Sequence, residues 1–189
     1  MMEPPNTTQA NDARLARFDM AFRANYEAAC RFALRCGASE PDDVASECFA
    51  ALWRRLESVA EGSERAWLFA AVRKHTANER RSIARRGALI DELAANHPSR
   101  TAWSPSIATT DSLVALALQT LSHSDQEALI LHIWDGFGPD QIAQVLGLSK
   151  GATAVRLHRA KRRFRQEYLR RKAAAFTQTT PVAGGCDAQ

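Results

Sequence analysis

Glycine-rich phosphate loops, metal-ligand spacings and nucleophile elbows are all missing from this chain of 189 residues. With them go the usual signatures of nucleotide-dependent, metal-dependent and acyl-transfer enzymes. His75, His97 and His132 are scattered and stand beside no plausible partner. No apolar run approaches the ~18 residues that a spanning helix needs, so membrane insertion is not expected. The opening residues, MMEPPNTTQANDAR, lack the basic start and apolar stretch of a secretory signal. Cysteine is sparse, and Cys30, Cys36, Cys48 and Cys186 show no CxxC spacing. Four free thiols in a reducing, cytoplasmic setting are expected, with Cys48 in the core and Cys186 reactive in a tail. No metal, cofactor or catalytic residue is expected. Lysine is rare too: arginine outnumbers it 21 to 4, a bias that fits a GC-rich bacterial genome.

What the chain does contain is charge in blocks. Hydrophobic residues at 46% and charged residues at 24% exclude wholesale disorder. The length suits one domain or two small ones. From Glu40 to Arg65 seven acids face three arginines, and from Arg73 to Arg86 six bases accompany only Glu79. Asp111 to Gly147 holds five acids and no Lys or Arg, and Lys150 to Lys172 packs ten bases around Glu167. Such alternation predicts two nucleic-acid surfaces and two separate protein-docking surfaces.

Periodicity predicts an all-α chain. Leu15, Phe18, Phe22, Tyr26, Cys30 and Leu34 recur at helical spacing and Gly37 ends that helix. Ser39-Glu40-Pro41-Asp42-Asp43 opens a second helix with a capping side chain, a first-turn proline and acids at the positive end. A break at Glu61-Gly62-Ser63 precedes a third, from about Glu64 to Arg86. Residues 87–110 lose the period and carry Pro98 and Pro105, which predicts a linker. Helices are expected again over Asp111–Leu121, over Ser124–Trp134 with Leu129 and Ile133 on one face, over Gln141–Leu146 and from Lys150 to about Ala173. The resulting division is a loose 1–13, a first domain at 14–86, a linker at 87–110, a second domain at 111–173 and a disordered tail at 174–189.

Residues 139–164 read as a helix-turn-helix. Ala143 lies four residues before Gly147, the small side chain allowing close approach and the glycine a left-handed turn. In the second helix Thr153, Leu157, Ala160 and Phe164 should face inward. Lys150, Ala154, Val155, His158, Arg159, Lys161 and Arg162 should face outward, an arrangement suited to a major groove. Nothing intramolecular evidently neutralises these cations.

The run Leu121-Ser122-His123-Ser124-Asp125-Gln126-Glu127-Ala128-Leu129, then Asp135-Gly136-Phe137, Gln141 to Ser149 and Arg156 to Arg162, resembles region 4 of bacterial RNA polymerase sigma factors. More narrowly it is similar to the extracytoplasmic-function (ECF, group IV) kind. Phe18, Tyr26, Pro41 to Phe49, Leu52 to Arg55, Trp67-Leu68 and Arg80-Arg81 resemble region 2. The resemblance covers residues 14–86 and 111–172. It implies two small helical domains on a flexible linker, binding core RNA polymerase and promoter DNA, with an anti-sigma factor as an expected partner.

Carried over residue by residue, the resemblance assigns Asp42, Asp43, Ser46, Glu47, Arg54 and Arg55 to the polymerase clamp. Glu61, Ser63, Trp67, Arg73, Lys74, Asn78, Arg80, Arg81, Arg85 and Arg86 fall to the minus-10 element, the 61–66 loop holding an unstacked base. Trp67 can be a stacking wedge or a core residue. Lys150, Ala154, Val155, Arg156, His158, Arg159 and Arg162 fall to the minus-35 element. Departures from the family pattern are Ser46 for a frequent Gln, Lys74 for a common Asn, Asn78 near a usual Asp, Gly138 for a capping Ser, Thr153 for a branched apolar residue, and Ala154 for Arg or Lys. Ala154 can offer a base only methyl contact. Two other classes fit part of the pattern: a stand-alone helix-turn-helix regulator, and a sigma-mimic decoy for an anti-sigma factor.

Overall fold

A computed structural model describes residues 7–91 and 112–178, and every element within them is helical. The first half comprises α1 (Thr7–Arg35), α2 (Pro41–Arg55), a single 3-10 turn (Leu56–Ser58) and α3 (Glu64–Asp91). The second comprises α4 (Ser112–Gln119), α5 (His123–Ile133), α6 (Pro139–Leu146) and α7 (Lys150–Gln178).

Helix α1 starts at Thr7, ahead of the expected Arg14, because no proline or glycine interrupts the chain after Pro5. Arg14 secures this start: its guanidinium lies 4.4 Å above the Trp53 ring and donates to the Trp53 carbonyl at 2.7 Å. The expected apolar stripe is only partly inward. Leu15 and Leu34 are exposed, whereas Ala21, Ala29, Phe32 and Ala33 are buried. Alanines let α1 approach both α2 and α3 closely, so the buried face is wider and shifted from the large-residue stripe. Gly37 stops α1 at φ +83°, as expected. The N-cap of α2 is Glu40, not Ser39, and no side chain caps the helix; Pro41 occupies the first turn.

Phe49 and Leu52 bury α2 against α1, where Phe18 meets Phe49 and Trp53 edge-on, and Leu56 of the 3-10 turn is buried too. Between the 3-10 turn and α3, Arg17 acts as a clamp. It donates to the carbonyls of Leu56 (3.1 Å) and Val59 (2.7 Å) and to Glu64 Oε1 (2.6 Å). Helix α3 runs five residues past the expected Arg86, so the predicted linker begins inside it; residues 92–111 lie outside the described part. Helix α7 likewise continues to Gln178, past the expected end at Ala173, over alanines and other helix formers; Cys186 lies outside the described residues.

In the second half Ser122 caps α5 by accepting the Asp125 N–H, and α5 buries six consecutive residues from Gln126 to Leu131. Ile133, expected on the Leu129 face, is exposed, because α5 ends there and its last turn passes beyond its neighbours. Gly138 precedes α6, and its N–H donates to Gln141 Oε1 at 3.0 Å in place of a side-chain cap. The halves meet along α3 and α6. Phe69, stacked on Phe32 at 4.5 Å, receives the Phe137 ring edge-on at 4.9 Å, so one apolar cluster runs through both.

Candidate nucleic-acid interface

Gly147 makes the turn of the helix-turn-helix at φ +67° and ψ +37°, a conformation that asks any other residue for strain. Its N–H and that of Leu148 both return to the Ala143 carbonyl. Ser149 then opens α7, its hydroxyl accepting the Ala152 N–H at 3.2 Å. Thr153, Leu157 and Ala160 are buried as expected, and Phe164 is half-buried. Thr153 tolerates the apolar joint because its hydroxyl donates to the Ser149 carbonyl at 3.0 Å.

Lys150, Ala154, Val155, His158, Arg159 and Arg162 are exposed, and Arg156 is half-buried. Val155, His158, Arg159 and Arg162 follow three-and-four spacing and share one face. The cations of α7 are not all unneutralised, contrary to the sequence reading. Lys150 pairs with Asp140 at 2.8 Å, Arg163 with Asp125 at 3.7 Å, and Arg170 and Arg171 with Glu167. The hydrogen bond from Arg170 holds the Glu167 carboxyl below its ordinary pKa. Lys161 lies 2.8 Å from His132 Nε2. The acids came within reach because the bundle brings α5 and α6 against α7, which linear spacing does not disclose. Among the described residues, Arg156, Arg159, Arg162 and Arg165 have no ion-pair or hydrogen-bond partner. The unpaired charge thus concentrates on the outward face near the turn.

On the first half, Asp42, Asp43, Ser46, Glu47, Arg54 and Arg55 are all exposed on α2. Opposite them, α3 presents Lys74, Asn78, Arg81 and Arg85, also exposed. Two sets kept apart in the sequence meet here: Glu47 and Arg54 share a groove of about 420 Å³ with Lys74, His75 and Asn78. His75 Nδ1 lies 3.5 Å from Glu47. Arg81 donates to Asn78 Oδ1 at 2.6 Å, which orders both side chains. Arg86 falls within α3. The 61–63 loop borders a second cavity of about 330 Å³, walled by Met20, Ala24 and Asn25 of α1 and closed by Glu61, Gly62 and Arg65. Ser63 is half-buried and its carbonyl accepts the Trp67 N–H. Trp67 itself is half-buried and packs against the core, so its ring is only partly available.

Arg73 departs most from a free basic side chain. It forks onto Glu127 of α5, with Nε at 2.7 Å and Nη2 at 3.4 Å. Burial works against the charged form, yet this hydrogen bond and the Glu127 charge hold the Arg73 pKa above its ordinary value. A second bond joins the halves, from Arg35 Nη2 to Asp135 at 2.6 Å. Burial raises the Asp135 carboxyl above the ordinary range, with the charges of Arg35 and Arg65 opposing. Phe137, 1% exposed, packs edge-on against Phe69 of α3, with the Arg65 guanidinium 4.9 Å from its ring. Fully burying such a ring stabilises by about 1.5–3 kcal/mol.

Sequence reasoning missed Arg17, Arg35, Arg65, Glu127, Asp135 and Phe137 as a working group. The signal was present in the 111–147 acidic block. Its described acids do not form a free docking surface: Asp125 and Asp140 bind α7, while Glu127 and Asp135 bind the first half.

Residues 112–164, which hold α4 to α6 and the front of α7, match the family model for sigma-70, region 4. The chain is 31% identical over 140 residues to the ECF RNA polymerase sigma factor SigL of Mycobacterium tuberculosis, covering 71% of this chain and 79% of that relative. The chain belongs to the ECF RNA polymerase sigma factors. Its fold agrees with a solved structure, the sigma factor RpoE in complex with the anti-sigma factor NepR from Bartonella quintana. That structure aligns with a TM-score of 0.56 and 25% identity over 81% of this chain and 96% of the other. An ECF sigma factor directs core RNA polymerase to promoters, and it does so by binding both polymerase and DNA. Among the described residues of this sigma factor no helix is long and apolar enough to cross a membrane.

Proposed function

We propose that this sigma factor divides its work among three faces. The exposed face of α2, with Asp42, Asp43, Ser46, Glu47, Arg54 and Arg55, docks on core polymerase. The α3 face, with Arg73, Lys74, Asn78, Arg80, Arg81, Arg85 and Arg86, follows the minus-10 strand. The α7 face, with Lys150, Ala154, Val155, Arg156, His158, Arg159 and Arg162, enters the major groove at the minus-35 element. Residues 14–86 and 111–173 serve as the two domains of this division.

The single observation that carries the reading is the unpaired face of α7. Among the described residues Arg156, Arg159 and Arg162 have no partner, directly after a left-handed glycine turn, where phosphates and base edges can take them up. For the minus-10 step, the 330 Å³ cavity beside Glu61 and Ser63 is large enough for one nucleobase, and Arg17 holds its loop in place. Capturing an unstacked base there offsets part of the energy of opening the duplex. Trp67 does not line that cavity; it packs against the core and supports the start of α3. The factor works in the bacterial cytoplasm as a polymerase subunit with no catalysis of its own. An anti-sigma factor is its expected regulator, as one partners the Bartonella quintana relative.

In vitro transcription tests this reading directly. Core RNA polymerase and a library of genomic fragments, with and without the purified protein, should give discrete new start sites only when both components are present. Tight binding to core without transcripts would instead mark a decoy. Neither transcripts nor core binding would leave a stand-alone DNA-binding regulator.

A further inference from the structure

The first two turns of α7 carry little that can hydrogen-bond to a base. Gly151, Ala152, Ala154 and Val155 are exposed there, whereas Thr153 and Leu157 are buried. The Thr153 hydroxyl is spent on the Ser149 carbonyl, and Lys150 is drawn to Asp140 of α6. Arg156 is half-buried at the flank. Exposed hydrogen-bonding side chains return only at His158 and Arg159, one turn later. In their place stands Val155, 51% exposed and outside the apolar core, on the same face as Arg159 and Arg162. An apolar side chain set among cations in this way contributes little to its own fold. Its β-branch leaves one preferred rotamer in a helix, so its two methyl groups are held in fixed positions. A side chain added at Gly151, one turn earlier, would meet nothing within 4 Å, so no neighbour inside the protein requires the missing bulk. The same open space lets the front of α7 come close to a base pair.

We infer that Val155 selects a thymine in the minus-35 element through the 5-methyl group of that base, with Ala154 beside it extending the apolar contact. The thymine methyl is the apolar feature that base pairs show in the major groove, where the other distinguishing groups are donors and acceptors. A polar base edge set against Val155 loses water and gains no partner, so the contact selects against other bases as well as for thymine. Arg159 and Arg162, with no partner among the described residues, take phosphates and keep the helix in register. The front of α7 thus reads by shape, and hydrogen-bonded readout begins one turn behind it. The inference rests on the reading of α7 as the minus-35 helix and adds to it the base that its front selects.

The test uses holoenzyme assembled from the full-length protein and core RNA polymerase, with promoters selected from a library of genomic fragments. In a selected duplex each thymine of the footprinted minus-35 segment is replaced singly by deoxyuridine, which keeps the pairing and removes only the methyl. One position is expected to weaken binding about fourfold, the loss of roughly one buried methyl group. Val155→Ala should weaken binding of the thymine duplex by about the same factor. Combined, the two changes should still cost about fourfold, against about sixteenfold for independent changes. Val155→Ile, which keeps the apolar contact, should keep the response to deoxyuridine, and circular dichroism checks that both variants are folded. A minus-35 segment with no methyl-sensitive thymine overturns the inference. So does a response to deoxyuridine that Val155→Ala leaves at full strength. The salt slope separates the underlying reading. Where Arg159→Ala with Arg162→Ala flattens it, α7 is on the DNA and only the thymine readout has failed. Where the slope is unchanged, the reading of α7 fails and the inference falls with it.

Discussion

Arg159 and Arg162 are exposed and have no partner among the described residues, whereas Lys150 and Arg163 on the same helix are tied to acids. Two unencumbered guanidiniums should each release about one counterion on meeting a duplex. Replacing both with alanine is expected to flatten the salt dependence of promoter binding by about 1.8 in slope, at roughly 0.9 per phosphate contact. An unchanged slope in a filter-binding or anisotropy titration would remove α7 from the interface. At the same scale, burial drives the Cys36 thiol up to about 12 and the Cys48 thiol up to about 11. Both thiols stay protonated at neutral pH and are shielded besides, so iodoacetamide at pH 8 should modify them only after unfolding. Mass-mapped alkylation of Cys36 in the native protein would contradict the packing at the end of α1.

At the scale of the element, α2 shows how one helix can hold a fold and offer a surface. Val44, Ala45, Cys48, Phe49 and Leu52 line its buried side, and the charged residues lie opposite. Reversing Asp43 and Glu47 to lysine should leave the melting temperature nearly unchanged and weaken core-polymerase binding by roughly tenfold or more. Affinity that survives both reversals would move the polymerase contact elsewhere. Helices α1, α2, α6 and α7 were legible because apolar period, first-turn Pro41, and Gly37 and Gly147 mark them locally, although α6 begins at Pro139, two residues ahead of the expected Gln141. Their ends were less legible. Thr7 to Asn11 and Ala173 to Gln178 carry no breaker, so only the presence or absence of a neighbour decides where winding stops. The inward set of α7 was readable from Thr153, Leu157 and Ala160, since a four-three-four spacing has one geometric meaning. The neutralising acids were not, because Asp125 and Glu127 reach opposite neighbours although they are two residues apart.

Across the whole molecule the decisive contacts are those that no local pattern encodes. Arg35 and Asp135 are 100 residues apart, and Arg73 and Glu127 are 54 apart. Charge blocks announced that acids and bases would matter; they did not say which pairs would close on each other. A short linker holds tethered partners at an effective concentration on the order of millimolar. If closure is favoured about tenfold, the untethered halves should bind with a Kd of about 0.1 mM. Cleaving the chain near Ser99 and diluting to the low micromolar range should therefore separate the halves on a sizing column. Co-elution under those conditions would mean a far tighter union than tenfold closure implies.

The order in which the two partners of the Arg73–Glu127 fork leave the ribosome adds a temporal side to this geometry. The arginine is made first, and its carboxylate follows 54 residues later. At ordinary elongation speeds of about 5–20 residues per second, that interval is roughly 3–10 s. During those seconds a nascent first half, still attached to messenger RNA, presents Arg35 and Arg73 without their carboxylates to the surrounding polyanions.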